Sequence, residues 1–151
     1  EGLKTGKGPF HKDFARWKNN LNSQCSKDYI YQIDADEIID EYVLRLLPQV
    51  LEMNSVELLA VPRINTVEGL TEAHIQKWRW NVNEKGWINF PDYQTRIYKN
   101  DPRIRWHGKV HEKIIGHTTF AAMPTDREWC LIHYKEIGRQ ERQNSYYSSL
   151  Q

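Results

Sequence analysis

The chain has 151 residues, 39% of them hydrophobic and 12% aromatic, with a formal net charge of +1 at pH 7. That length suits one domain with one core, and the spread of six Trp and eight Tyr along the chain excludes a disordered one. No apolar run is long enough to span a membrane, and the charge balance offers no broad basic surface for a long nucleic acid.

Lys4 and Lys7 among Gly2, Gly6, Gly8 and Pro9 make residues 1–9 a flexible loop. Phe14, Trp17 and Leu21 recur on one face and predict a helix from Phe10 to Cys25, with Arg16 on its polar side. Tyr29 to Ile33 reads as a strand, and it runs straight into Asp34, Asp36 and Glu37. If the chain stays extended to Asp36, the carboxylates of Asp34 and Asp36 share one face, their Cα atoms roughly 6–7 Å apart. Carboxylates that close must raise their pKa or find a cation. Hard divalent ions such as Mg²⁺ and Mn²⁺ take oxygen ligands and would resolve the conflict. The structural alternative is a solvated acidic turn that caps the next helix.

That next helix begins at Asp40 and Glu41, and Pro48 is expected to break or kink it. Val56 to Asn65 reads as a buried strand, with Pro62 arguing for an edge position or a bulge. Thr66 to Thr71 is a loop, and the alternation from His74 to Trp80 is read as a strand. Further strands are expected at Tyr93–Tyr98, Ile104–Trp106, Lys109–Ile115 and Glu128–Tyr134, with a C-terminal helix from Ile137 to Leu150. There are no internal repeats and no linker.

The near-neutral total conceals a division. Asp28 to Glu57 holds eight acidic residues against the single Arg45, whereas Gln94 to Ile114 is basic, with Arg96, Lys99, Arg103, Arg105, Lys109 and Lys113. An acidic segment that suits a metal, followed by a basic one, fits a metal-bound phosphate ligand. Most of these charges taken singly are ordinary surface charge. Cys25 and Cys130 lie far apart in no CxxC arrangement, so neither a disulfide framework nor a zinc knuckle is indicated. His107, His111 and His117 invite a zinc reading that fails on spacing, because Ile115 stands where an HExxH motif needs its second His. Glu112, among Trp106, Lys109 and Lys113, suits a general base. His133 ends an apolar strand; beside a carboxylate-bound metal it would be a natural nitrogen ligand and would favour Mn²⁺ over Mg²⁺.

Taken together, Ala15–Trp17 (ARW), residues 28–37 (DYIYQIDADE), residues 91–112 (PDYQTRIYKNDPRIRWHGKVHE) and residues 131–135 (LIHYK) resemble a family-2 glycosyltransferase. The resemblance covers roughly residues 10–135. It implies an α/β fold of the GT-A, Rossmann-like type, a mixed sheet flanked by helices. The whole chain, 1–151, would then be a single catalytic domain: a loop (1–9), a helix-strand-DxD unit (10–37), the remaining core (38–135) and a C-terminal helix (136–151). Such enzymes carry a β-α-β nucleotide-binding half ahead of the DxD, and here only the helix precedes it, so the expectation is a short or truncated form.

The resemblance also implies roles. Asp36 binds the metal, Mn²⁺ or Mg²⁺, on the donor's diphosphate; Asp34 approaches the ribose or the metal through water; His133 completes the metal shell. Glu112 is the base of an inverting transfer, with Asp92 and Asp126 the next candidates. Arg16 lies near the donor. From their chemistry alone, Arg96, Arg103 and Arg105 suit a diphosphate, and Trp87, Tyr93 and Trp106 either stack on a sugar ring or, more commonly for such side chains, form core. The implied partners are a nucleotide-sugar donor, a UDP-sugar by preference, and a saccharide or other hydroxyl acceptor, with no nucleic acid. No secretory signal is visible, and the cytoplasm of the producing or host cell is the expected location. Two other classes compete: a metal-dependent phosphohydrolase or nuclease built on Asp34 and Asp36, and a non-catalytic carbohydrate-binding remnant.

Overall fold

A computed structural model describes residues 13–108 and 111–148. The expected N-terminal loop, the start of the first helix at Phe10, the start of the strand at Lys109 and the end of the last helix at Leu150 lie outside those residues. The fold is mixed α/β. In chain order its elements are α1 (Phe14–Asn22), β1 (Tyr29–Tyr31), β2 (Glu37–Ile39), α2 (Glu41–Met53), β3 (Leu58–Glu68), α3 (Glu72–Trp78), β4 (Ile88–Lys99), β5 (Arg105–His107), β6 (Lys113–Ile115), β7 (Phe120–Ala122), β8 (Leu131–Glu136) and α4 (Ile137–Ser148). The main sheet runs β1-β4-β3-β8-β2, with β7 also on β3, while β5 and β6 form a separate hairpin. It is a mixed sheet: β3 and β8 run parallel, whereas β8 meets β2 and β4 meets β1 antiparallel.

The residues fall into two compact units. The first holds the described residues up to Gln32 with Asn54–Ala60 and Thr95–Ala121. Its core is Ala15, Ile30, Leu58, Tyr98, Ile104, Trp106 and Ile114. Helix α1 starts where the Asp13 side chain accepts the Arg16 N–H at 2.9 Å, satisfying one of the orphan donors of a first turn. Asn19, one turn further on, exchanges two 2.9 Å hydrogen bonds with the Trp106 backbone and so ties the helix to β5. Tyr98, fully buried, donates to Asn22 and accepts from the Trp106 indole N–H. Burial raises its phenol above the usual range.

The second unit holds Ile33–Met53, Val61–Gln94 and the described residues from Ala122 on. Its apolar centre includes Val43, Leu47, Val61, Ile64, Ile88, Cys130 and Leu131. Alternation along β8 buries Leu131, His133 and Lys135 on one face. The register then sets Glu37 of β2, His133 of β8 and Asn65 of β3 in one row across three strands. That row is the floor of the site described below.

Six local expectations are corrected. Strand β3 runs on to Glu68 into the expected loop, and Arg127–Trp129 form a 3₁₀ turn, so the last strand starts at Leu131 rather than Glu128. The strand after α1 stops at Tyr31, and residues 34–37 turn: the Glu37 N–H donates to the Asp34 carbonyl at 3.0 Å and the Asp34 N–H to Glu37 Oε2 at 3.1 Å. Asp34 and Asp36 therefore do not share the face of an extended strand. Pro48 does not stop α2, which runs through it to Met53 with Val43 and Leu47 buried; core burial outweighs the lost hydrogen bond. Pro62 sits buried in a strand that lies inside the sheet, just before the β8 register begins at Arg63. His74–Trp80 is no strand. Thr71 starts helix α3, with its N–H donating to His74 Nδ1 at 3.3 Å, and the His74 and Trp78 rings stack one turn apart at 5.2 Å. Arg79, at φ +54°, ends it. The two short strands β2 and β7 carry too few residues to be read in advance.

Candidate functional site

The site in the second unit is built from a chain of hydrogen bonds whose directions follow from chemistry. Asp92 begins it. Its carboxylate accepts from Arg63 Nε and Nη2 at 3.0 and 2.8 Å, from Asn65 Nδ2 at 2.8 Å and from Gln94 Nε2 at 2.7 Å. Burial alone would raise its pKa, but Arg63, Asn65 and Gln94 outweigh that and hold the carboxyl below its ordinary value. An ionised carboxylate only accepts, so the Asn65 amide must present Nδ2 to Asp92 and Oδ1 to the other side. There Oδ1 lies 2.7 Å from His133 Nδ1. His133 therefore keeps its proton on Nδ1.

Its other nitrogen faces Asp36, with Nε2 3.4 Å from Oδ2. Burial, aided by Arg63 and Lys135, lowers the His133 pKa, which favours the neutral ring near pH 7. A neutral ring with Nδ1–H turns the Nε2 lone pair toward the Asp36 carboxylate. Two acceptors that face each other call for a proton or a metal ion between them. For Asp36, burial is outweighed by His133, when that ring carries its proton, and by Arg139, whose Nη2 lies 3.1 Å from the same Oδ2; the carboxyl is held below its usual range.

Glu37, its side chain fully buried, accepts from Arg63 Nη1 at 2.9 Å. Arg63 is thus engaged at all three of its nitrogens. Two residues beyond His133 on the same face, Lys135 is buried and donates to Gln143 Oε1 at 2.5 Å. Burial lowers its pKa against the opposing pull of Asp36. A cavity of about 300 Å³ opens here, lined among others by Arg63, Asn65, Trp80, His133, Lys135 and Gln143.

The sequence-derived candidates divide between the units. Asp34, Asp36, Asp92 and His133 fall in the second, together with Trp87, Tyr93 and Asp126. Arg16, Arg96, Arg103, Arg105, Trp106 and Glu112 fall in the first. Glu112 is paired with Lys18 at 2.6 Å, both side chains largely buried, and the Lys18 ammonium lies 3.9 Å from the centre of the Trp106 ring. Trp106 is therefore core and cation partner rather than an open stacking platform. Arg103 is committed to Asp101 and Glu57, Arg96 is buried, and Arg16 and Arg105 are exposed. Trp87 packs edge-on against Phe90 at 4.8 Å. Asp126 is exposed and opens a short 3₁₀ turn.

Sequence reading missed Arg63, Asn65, Lys135 and Arg139. Lys135 carried a signal, the period-two spacing of Leu131, His133 and Lys135. Asn65 carried none, since its importance comes from its neighbours on other strands.

Among the described residues no group of three or more His, Cys, Asp and Glu side chains is gathered for a metal. The Asp36–His133 pair nonetheless fits one: a carboxylate oxygen and an imidazole nitrogen whose tautomer is fixed from behind, as is usual for metal-bound histidine. Hard cations that serve phosphates commonly take one or two protein ligands and fill the rest with water and substrate oxygens. No model of a known protein family matches the chain, and no curated protein matches it. Among the described residues no helix is long and apolar enough to cross a membrane.

Proposed function

We propose that this protein is a metal-dependent, inverting glycosyltransferase of the GT-A type that uses a nucleotide-sugar donor, a UDP-sugar by preference. The observation that carries the reading is the Asp92–Asn65–His133 relay, which leaves an imidazole lone pair opposed to the Asp36 carboxylate. Asp36 and His133 would hold Mn²⁺ or Mg²⁺, with Asp34 at the same turn. A cation bound there supplies a counter-charge for the donor's diphosphate as it leaves.

The chain's own residues do the remainder. The turn at 34–37, closed on both sides by Asp34–Glu37 hydrogen bonds, fixes Asp36 on the rim of the row formed by Glu37, His133 and Asn65. Arg139, paired with Asp36 at 3.1 Å, would supply a donor to a diphosphate oxygen. The proposed base is Glu112, which would have to leave its 2.6 Å pair with Lys18 to accept the proton of an acceptor hydroxyl. Asp92 is a poor base, since four hydrogen bonds stabilise its ionised form.

Calorimetry of UDP with and without Mn²⁺, on the wild type and on Asp36→Asn, tests the reading. The expected result is binding only with metal, abolished by the substitution. Metal-independent UDP binding by both proteins overturns it.

A further inference from the structure

Two side chains meet on a single oxygen. Asp36 Oδ2 lies 3.4 Å from His133 Nε2 and 3.1 Å from Arg139 Nη2, all within the second unit. Two ligands of one small divalent ion, each about 2.1 Å from it, stand roughly 3 to 3.5 Å apart. The Asp36–His133 separation falls in that range. The Arg139 guanidinium, which keeps its charge at any ordinary pH, therefore sits on the same oxygen that an ion would take. Two cations that share one carboxylate oxygen repel each other, so the ion and the guanidinium compete.

The basic groups that act on Asp36 differ in how firmly they are held. His133 is buried in β8 and bonded to Asn65. Lys135 also attracts Asp36, but it is buried and donates to Gln143. Arg139 stands in the first turn of α4 with its side chain 57% exposed. An exposed ion pair gains little over two solvated charges, so it opens readily and its guanidinium returns to water at little cost.

We infer that Arg139 is an exchangeable counter-ion, which occupies the Asp36 carboxylate in the metal-free protein and is displaced when a divalent cation binds to Asp36 and His133. The inference rests on the proposed metal site and deepens it by naming the residue that limits its affinity. A site that Arg139 closes for two-thirds of the time binds its ion about threefold more weakly than an open one. A structural Arg139, holding Asp36 in place for the ion, predicts the opposite sign.

Calorimetry of Mn²⁺ with the full chain, without nucleotide, tests this on the wild type, Arg139→Ala and Arg142→Ala. Alanine offers no ligand atom and is the best helix former, so α4 should be retained. Arg142→Ala removes the same charge from another exposed position of α4. Mn²⁺ should bind Arg139→Ala at least about threefold more tightly than the wild type, and Arg142→Ala within about 1.5-fold of it. Adding Asp36→Asn to Arg139→Ala should abolish the gain. The inference is overturned by unchanged or weaker binding to Arg139→Ala, by an equal gain in Arg142→Ala, or by a gain that survives Asp36→Asn. Wild-type binding with no gain in Arg139→Ala overturns the inference and leaves the proposed metal site standing, whereas no binding by either protein removes both.

Discussion

Asn65 is the residue on which the proton inventory of the site turns. It touches no expected ligand, yet its amide, oriented by Asp92, decides which nitrogen of His133 is free. Asn65→Leu removes both contacts at once. It should cost about 1–3 kcal/mol of stability, because Asp92 loses a partner and the His133 N–H is left unpaired. Loss of such a supporting contact typically weakens metal binding about 10–100-fold, so Mn²⁺ titrated into the variant should bind weaker by that factor. Unchanged Mn²⁺ affinity would detach the relay from the metal. Asp36, by contrast, has its charge answered by Arg139, whose Nη2 lies 3.1 Å from Oδ2, and by His133 only when that ring is protonated.

Elements record the competition between local preference and burial. Helix α2 tolerates Pro48 because its buried face, Val43 and Leu47, is set before the proline, and Pro48 itself is exposed. A helix-interior proline costs up to about 3 kcal/mol relative to alanine. Pro48→Ala should therefore raise stability by up to that amount, visible as a higher Tm; a lower Tm would mean that the proline fits a bend the second unit needs. Helix α3 illustrates the reverse case. Its alternating aromatics suggest a strand, but Thr71 and His74 close a first turn and the His74–Trp78 stack repeats at helical spacing. The β5–β6 hairpin depends on Gly116, at φ +90°, where a Cβ would lie 1.9 Å from the Arg103 carbonyl oxygen. No side chain can be accommodated there.

At the scale of the whole molecule, the two units separate the proposed tasks. Glu112 with Lys18 belongs to the first, Asp36 with His133 to the second. Substitution in each should therefore read out differently: Glu112→Gln should retain Mn²⁺-dependent UDP binding while transfer falls by at least about a hundredfold. Near-normal transfer would send the base assignment elsewhere. Acid stability is also a global readout. The Asp92 carboxyl is held below its unfolded value near 3.8. Its contribution is complete above that value and is lost as the pH falls through the lower folded one. Denaturant unfolding between pH 5 and pH 2 should thus show stability falling with pH, and Asp92→Asn should start less stable and fall less steeply. Parallel slopes for the two proteins would remove Asp92 from the acid transition.

The amino-acid sequence by itself pointed to a helix within Phe10–Cys25 and to strands at Tyr93–Tyr98 and Glu128–Tyr134, where α1, β4 and β8 lie with different bounds, and its resemblance suggested the α/β class and the candidates Asp34, Asp36, Glu112 and His133. Periodicity and residue chemistry are local properties, and they survive without a fold. Only the tertiary structure decided that residues 34–37 turn rather than extend, that Arg63 is spent on Glu37 and Asp92, that Asn65 stands behind His133, and that Lys135 lies buried against Gln143. Those facts arise from register across strands β2, β8 and β3, where residues more than sixty positions apart become neighbours, and hydrogen-bond direction and charge pairing are settled only between neighbours.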